Sequence, residues 1–124
     1  MKIITKNQAI KIRKSEGTLV TYFLFDEYEI HYNEQAPDST QLWHHHKKIW
    51  ETIYLIEGEL TAKWKENSEI KQQIIKAGDL VEVEYTPHTF TNHTNTIVKF
   101  LVIKQKLTGN NNKESMKTDK VLDE

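Results

Sequence analysis

Trp43-His44-His45-His46-Lys47-Lys48-Ile49-Trp50-Glu51, running on through Thr52-Ile53-Tyr54-Leu55-Ile56 to Glu57-Gly58, is the stretch whose conformation decides how this chain folds. Ile49, Trp50, Ile53, Tyr54 and Ile56 fit helical spacing, and Gly58 could then cap the C-terminal end. The same segment is crowded with β-branched and aromatic residues, which favour a pleated surface. The choice has a chemical consequence. On a helix His44 and His46 would point about 200° apart, whereas on a strand residues two apart project from one face. Only the extended reading lets the two imidazoles share a ligand, and it is the reading adopted here.

Parity then demands a bend. Glu51 is an odd number of positions from His46, so an uninterrupted strand would aim it away from both histidines. The polar pair Lys47-Lys48 is where the chain must turn. Beyond it Glu51 shares a face with Ile53 and Leu55, while Trp50, Tyr54 and Ile56 share the other. A strand apolar on both faces is covered on both sides, by a barrel interior and by a further strand or a second subunit. A homodimer is the expectation.

Working outward, the chain alternates strand-like runs with turn residues. Thr18 to Phe25 and Tyr28 to Tyr32 flank Asp26-Glu27, and Glu34 to Gln41, with Pro37, Asp38 and Ser39, carries turn chemistry and is read as a loop. Thr52 to Ile56 and Leu60 to Trp64 form a hairpin through Glu57-Gly58-Glu59, where glycine takes a positive φ without steric cost. Glu66-Asn67-Ser68 and Ala77-Gly78-Asp79 turn the chain around Ile70 to Ile75, and Leu80 to Tyr85, Phe90 to Asn92 and Ile97 to Ile103 complete the set. Many short, evenly spaced strands predict an all-β sandwich or barrel.

The ends differ from the middle. Lys2, Lys6, Lys11, Arg13 and Lys14 precede any acid, and read as a solvated strand edge more readily than as an anion site. From Gly109 onward charges mix with Asn110-Asn111-Asn112 and little can be buried. Residues 107–124 are expected to be a polar, flexible tail, with a short docking helix over Ser115 to Leu122 as the alternative. Residues 1–106 are then one domain, as expected for a chain of 124 residues.

The formal charge of −1 gives no long-range field for a polyanion, so nucleic acid is not an expected partner and a small molecule is. No apolar run reaches the length of a membrane span, and Met1 to Ile10 lacks the apolar segment of a secretory signal. No membrane partner and a cytoplasmic location are therefore expected. The absence of cysteine removes disulfides and thiol chemistry. Imidazole and carboxylate remain, the neutral-pH ligands of divalent iron, manganese, nickel, copper or zinc. His44, His46, Glu51 and the downstream His88 are the candidate set. His45 should face outward, and His31 and His93 read as ordinary polar residues. Asn92 reads as a maker of backbone hydrogen bonds, Phe90 as core, and Trp43, Trp64 and Tyr85 as core or as walls of a ligand cavity.

The spacing His44-x-His46-x₄-Glu51-x₆-Gly58 resembles the first motif of the cupin superfamily. Gly78, Pro87, His88 and Asn92 are similar to the second. The resemblance covers residues 38–103 and implies a small single-domain protein with a double-stranded β-helix, a jelly-roll-type antiparallel barrel. It also implies that His44, His46, Glu51 and His88 carry the metal. Asp38 stands where the first motif usually opens with glycine, and the second lacks its middle glycine, with Pro87 directly before His88.

Three imidazoles and a carboxylate around an octahedral ion leave about two positions for water or for a ligand rich in oxygen. A metal-dependent enzyme of dioxygenase, isomerase or lyase type is one implied class, with Glu51 as ligand or general base. A non-catalytic binding or sensing module is the other. A tetrahedral structural zinc and a metal-free sugar isomerase using His44 or His46 as base are further alternatives, the last leaving Glu51 unexplained.

Overall fold

The structure, a computed structural model, describes residues 1–123. Ten strands and one short helix follow in order: β1 (Ile10–Arg13), β2 (Thr18–Leu24), β3 (Tyr28–Gln35), β4 (Ser39–Thr40), β5 (Trp50–Glu57), β6 (Glu59–Glu66), β7 (Glu69–Lys76), β8 (Leu80–Glu82), β9 (His88–Asn92), β10 (Val98–Gln105) and α1 (Lys113–Thr118). A six-stranded sheet in the order β1-β2-β3-β10-β5-β8 faces a four-stranded sheet in the order β4-β9-β6-β7. All pairings between the strands are antiparallel. This is the expected all-β jelly-roll architecture.

The segment that decides the fold is a strand. In β5 Glu51, Ile53 and Leu55 are buried, while Trp50, Thr52, Tyr54 and Ile56 are partly or fully exposed, which is the period of two that a helix cannot produce. Ile53 and Leu55 join Leu60, Ala62, Ile75, Phe90, Val98, Phe100 and Val102 in one core between the sheets. Full burial of such side chains contributes roughly 1.5–3 kcal/mol each against leaving them in water. Gly58 turns β5 into β6 at φ +93°, and a Cβ there would lie 2.9 Å from Val98 Cγ2. Asn67 and Ser68, both at positive φ, close the next hairpin.

Three expectations need adjustment. The span 34–41 is not simply a loop: β3 runs on to Gln35, and Ser39 and Thr40 pair with Asn92 and Thr91. Turn residues there hide a pairing whose partner lies some fifty positions away in sequence. The run Leu80 to Tyr85 is strand only to Glu82, because Glu84 and Tyr85 adopt φ values of +57° and +59°. The tail carries a helix, Lys113–Thr118, although none of its residues is buried, so it does not dock. The basic N-terminal segment does contribute an edge strand, β1, at one end of the larger sheet. Among the described residues no helix is long and apolar enough to cross a membrane.

Candidate metal centre

His44 and His88 are brought together by their backbones. They form an isolated antiparallel bridge, the His44 amide donating to the His88 carbonyl at 3.2 Å and the His88 amide to the His44 carbonyl at 3.0 Å. Their imidazole rings lie 4.4 Å apart between centroids. The chain bends at Lys47 and Lys48 and enters β5 at Trp50, so that Glu51 is the first inward-facing residue of that strand. Glu51 Oε2 comes within 2.9 Å of His46 Nε2. One donor atom from each of His44, His46 and Glu51 lies within 4.8 Å of the other two. His88 stands against this trio through His44 rather than within it.

The direction of the donors is more informative than their proximity. His44 Nδ1 donates to the Leu42 carbonyl at 2.8 Å and His88 Nδ1 to that of Thr86 at 2.7 Å. A carbonyl can only accept, so in both rings Nδ1 carries a proton and Nε2 is the nitrogen left to ligate in the neutral form. This is the arrangement that fixes tautomer and ring orientation in metal-binding histidines. His46 Nε2, Glu51 Oε2 and His88 Nε2 are buried and have no hydrogen-bond partner. His46 Nε2 and Glu51 Oε2 meet at 2.9 Å as a charge contact without hydrogen-bond geometry. A buried polar atom left unpaired costs about 1–3 kcal/mol. His46 Nε2 and Glu51 Oε2, with a His44 donor within 4.8 Å, form an electron-rich cluster that a cation would relieve, and His88 Nε2 adds an unpaired donor beside His44.

Protonation favours the same conclusion. Burial pushes His88 and His46 below the ordinary histidine value. The neighbouring His44 adds to this in both, and Lys104 in His46, while the Glu51 charge opposes it. Both imidazoles are therefore neutral, the form that ligates, at neutral pH. Three imidazoles and one carboxylate fit a divalent transition-metal ion.

Two cavities border the donors. The larger, about 670 Å³, opens between β6, β7 and β8, with His88, Phe90, Trp64 and Val83 in its wall. The smaller, about 320 Å³, includes His46, Ile49, Glu29 and Lys104. Trp64 is the aromatic residue that lines a cavity as anticipated; Tyr85 packs edge-on against Trp50 at 5.3 Å, and Trp43 is exposed. Trp50 Nε1 also donates to Glu82, which accepts from Thr52 Oγ1 as well and so fastens β8 to β5.

Of the remaining candidates, His45 and His93 are exposed, and Phe90 is core. Asn92 is fully buried and donates through Nδ2 to the carbonyls of Gln35, Ala36 and Thr96 while its Oδ1 accepts from the Thr94 amide and hydroxyl. It is a structural clamp on the turn after β9. His31 is buried and paired with Glu29 at 2.9 Å, with Tyr22 edge-on against its ring. The sequence reading missed this pair and Lys104. The alternation of Val98, Phe100 and Val102 into the core could have placed Lys104 on the inner face.

A two-sheet jelly roll with histidine and carboxylate donors gathered at one end of its interior defines the class. The family description "Cupin domain" matches residues 29–104, more than half of the chain, and the chain belongs to that family. Sequence comparison with curated proteins gives no match. Among solved structures, the Drosophila melanogaster CENP-C cupin domain is similar at 15% identity with a TM-score of 0.72, over 83% of this chain and 80% of that one. Oxalate decarboxylase from Bacillus subtilis is similar at 15% identity and TM-score 0.71, over 83% of this chain but only 29% of that one. Hydroxypropylphosphonic acid epoxidase from S. wedmorenis is similar at 16% identity and TM-score 0.70, over 83% of this chain and 58% of that one. At such identities the likeness is one of fold, shared by enzymes and by proteins not named as enzymes.

Proposed function

We propose that the protein binds one divalent metal ion through His44, His46, Glu51 and His88 and is a small metal-dependent enzyme acting on an oxygen-rich small molecule. The observation that carries this reading is the set of three buried, unpartnered donor atoms on His46, Glu51 and His88. A bound divalent ion would supply Lewis acidity, or redox capacity if it were iron, manganese or copper. The chain's own part is to hold His44 and His88 in the Nδ1-protonated tautomer and to keep His46 neutral. Glu51 acts as ligand, or as general base at Oε2 when it is off the ion. Leu55, Phe90 and Phe100, all buried below the centre, exclude water from the far side.

A non-catalytic module that retains a small ligand is the second reading. It is supported by the wide range of proteins that share the fold. Elemental analysis of protein purified without added metal, followed by oxygen-uptake and substrate-depletion assays on the iron-loaded chain, separates the two. Turnover of any oxygen-rich candidate supports the enzyme; ligand-induced stabilisation without turnover supports the binder.

Residues 1–106 form the functional unit in this reading, as a homodimer. Support comes from the outer face of the larger sheet, where Leu80, Tyr54, Leu101 and Tyr32 are successive cross-strand neighbours. Tyr54 and Leu80 are 42% and 58% exposed, an apolar stripe that a second copy would cover.

A further inference from the structure

Lys104 occupies an unusual place. It lies on β10 directly opposite Glu51 of β5 and opposite Glu29 of β3, and residues opposite one another in a sheet share a face. The row Glu51, Lys104, Glu29 is therefore the outermost inward-facing row of the larger sheet at the metal-binding end. Lysine is seldom placed inward unless an opposite charge holds it. Lys104 is half-buried and flanked by two carboxylates, yet among the described residues it makes no ion pair within 4.0 Å. Glu29 is instead taken by His31, and Glu51 is turned towards His46. Lys104 lines the 320 Å³ cavity that His46 also lines.

Resting on the metal-site reading above, we infer that Lys104 is the anion-recognition residue of this centre and that its ligand is a small carboxylate bearing an oxygen on the adjacent carbon. Such a 2-hydroxy or 2-oxo acid presents two oxygens to the metal side and leaves a carboxylate oxygen for the ammonium, a charge-assisted hydrogen bond. The opposite cavity is unsuited to that charge: Glu66, Asp79, Glu82 and Glu84 stand against a single Lys63. The Lys104 cavity is more nearly balanced: Lys104 and Lys106 stand against Asp26, Glu27 and Glu29, and Glu29 is already paired with His31. At about 320 Å³ the cavity has room for such a ligand.

The test uses the full chain loaded with cobalt(II), titrated with glycolate and with its uncharged analogue glycolamide, and read by the cobalt visible absorption. Wild type should bind glycolate. Lys104→Met should weaken glycolate by roughly ten- to hundredfold and glycolamide much less, with cobalt content unchanged. Lys104→Arg should retain most of the affinity, and Lys99→Met, which removes an equal charge from the outward-facing Glu57 pair, should change nothing. Glycolate affinity unaffected in Lys104→Met, no glycolate binding by cobalt-loaded wild type, or loss of cobalt from Lys104→Met would each overturn the inference. A wild-type chain that takes up no cobalt shows itself before any glycolate is added, and refutes the metal site first.

Discussion

His44 and His88 exchange both of their backbone hydrogen bonds, at 3.2 and 3.0 Å, so the segment before β5 and the start of β9 are tied together at the two residues whose rings face the same site. Each ring is then fixed by its own Nδ1 bond to the carbonyl two residues earlier. Both rings are thus held by the fold itself, which would keep the cost of assembling the proposed metal site low.

Replacing one donor should therefore empty the site without unfolding the barrel. His46→Ala is expected to lower bound metal well below one ion per chain, with far-UV circular dichroism unchanged, because His46 is only partly buried and lies outside the strands. Elemental analysis of the purified variant is the check, and wild-type metal content would remove His46 from the ligand set.

Glu51→Gln should separate stability from binding. An amide can donate to His46 Nε2 and removes a buried negative charge with an unpartnered oxygen. The metal-free variant should be more stable by about 1–2 kcal/mol in urea denaturation. Metal binding should weaken without vanishing, since an oxygen donor remains. Unchanged affinity in a metal titration would place Glu51 outside the ligand set.

Stability should fall on the acid side. Burial holds His31, His46 and His88 below the ordinary histidine value of 6.5, so the unfolded chain takes up protons at a pH where the native chain does not. Their contribution is complete above that value and is lost as pH drops below it through the lowered native values. Urea denaturation of the metal-free protein between about pH 7.5 and 5.5 should give a falling midpoint, and His31→Gln should flatten it. A midpoint that rises towards acid would contradict the buried, neutral assignment.

Much of this was legible in the sequence. Alternation in Glu51, Ile53 and Leu55 reveals the inward face of β5, and the bend at Lys47-Lys48 follows from parity alone. What was hidden depends on partners far away in sequence. Ser39 and Thr40 become a strand only because Thr91 and Asn92 pair with them. The missing opening glycine is also explained: Asp38 adopts φ +50°, and Glu84 and Tyr85, at +57° and +59°, likewise sit in left-handed backbone, at about 1–3 kcal/mol each. Composition cannot show that, since strain of this kind is maintained by the surrounding fold.

Asn92→Ala should be among the most damaging single changes. It removes a fully buried amide that makes five hydrogen bonds to four residues. Several buried carbonyls would be left unpaired, for a loss of about 3 kcal/mol. A thermal midpoint within a degree or two of wild type would show that the turn after β9 does not depend on this clamp.

Covering of the outer sheet face can be tested in solution. Tyr54→Lys places a charge in the middle of the stripe formed by Leu80, Leu101 and Tyr32. Sedimentation velocity should find wild type as a dimer and the variant as a monomer. A monomeric wild type would end the homodimer proposal.

The most direct test of the centre is a crystal structure of the metal-loaded protein with anomalous difference maps collected at the absorption edge of the bound element. A single strong peak per chain, within coordination distance of His44 Nε2, His46 Nε2, Glu51 Oε2 and His88 Nε2, is the predicted result. A fully loaded crystal whose peak lies elsewhere, or in which these four side chains diverge, would contradict it.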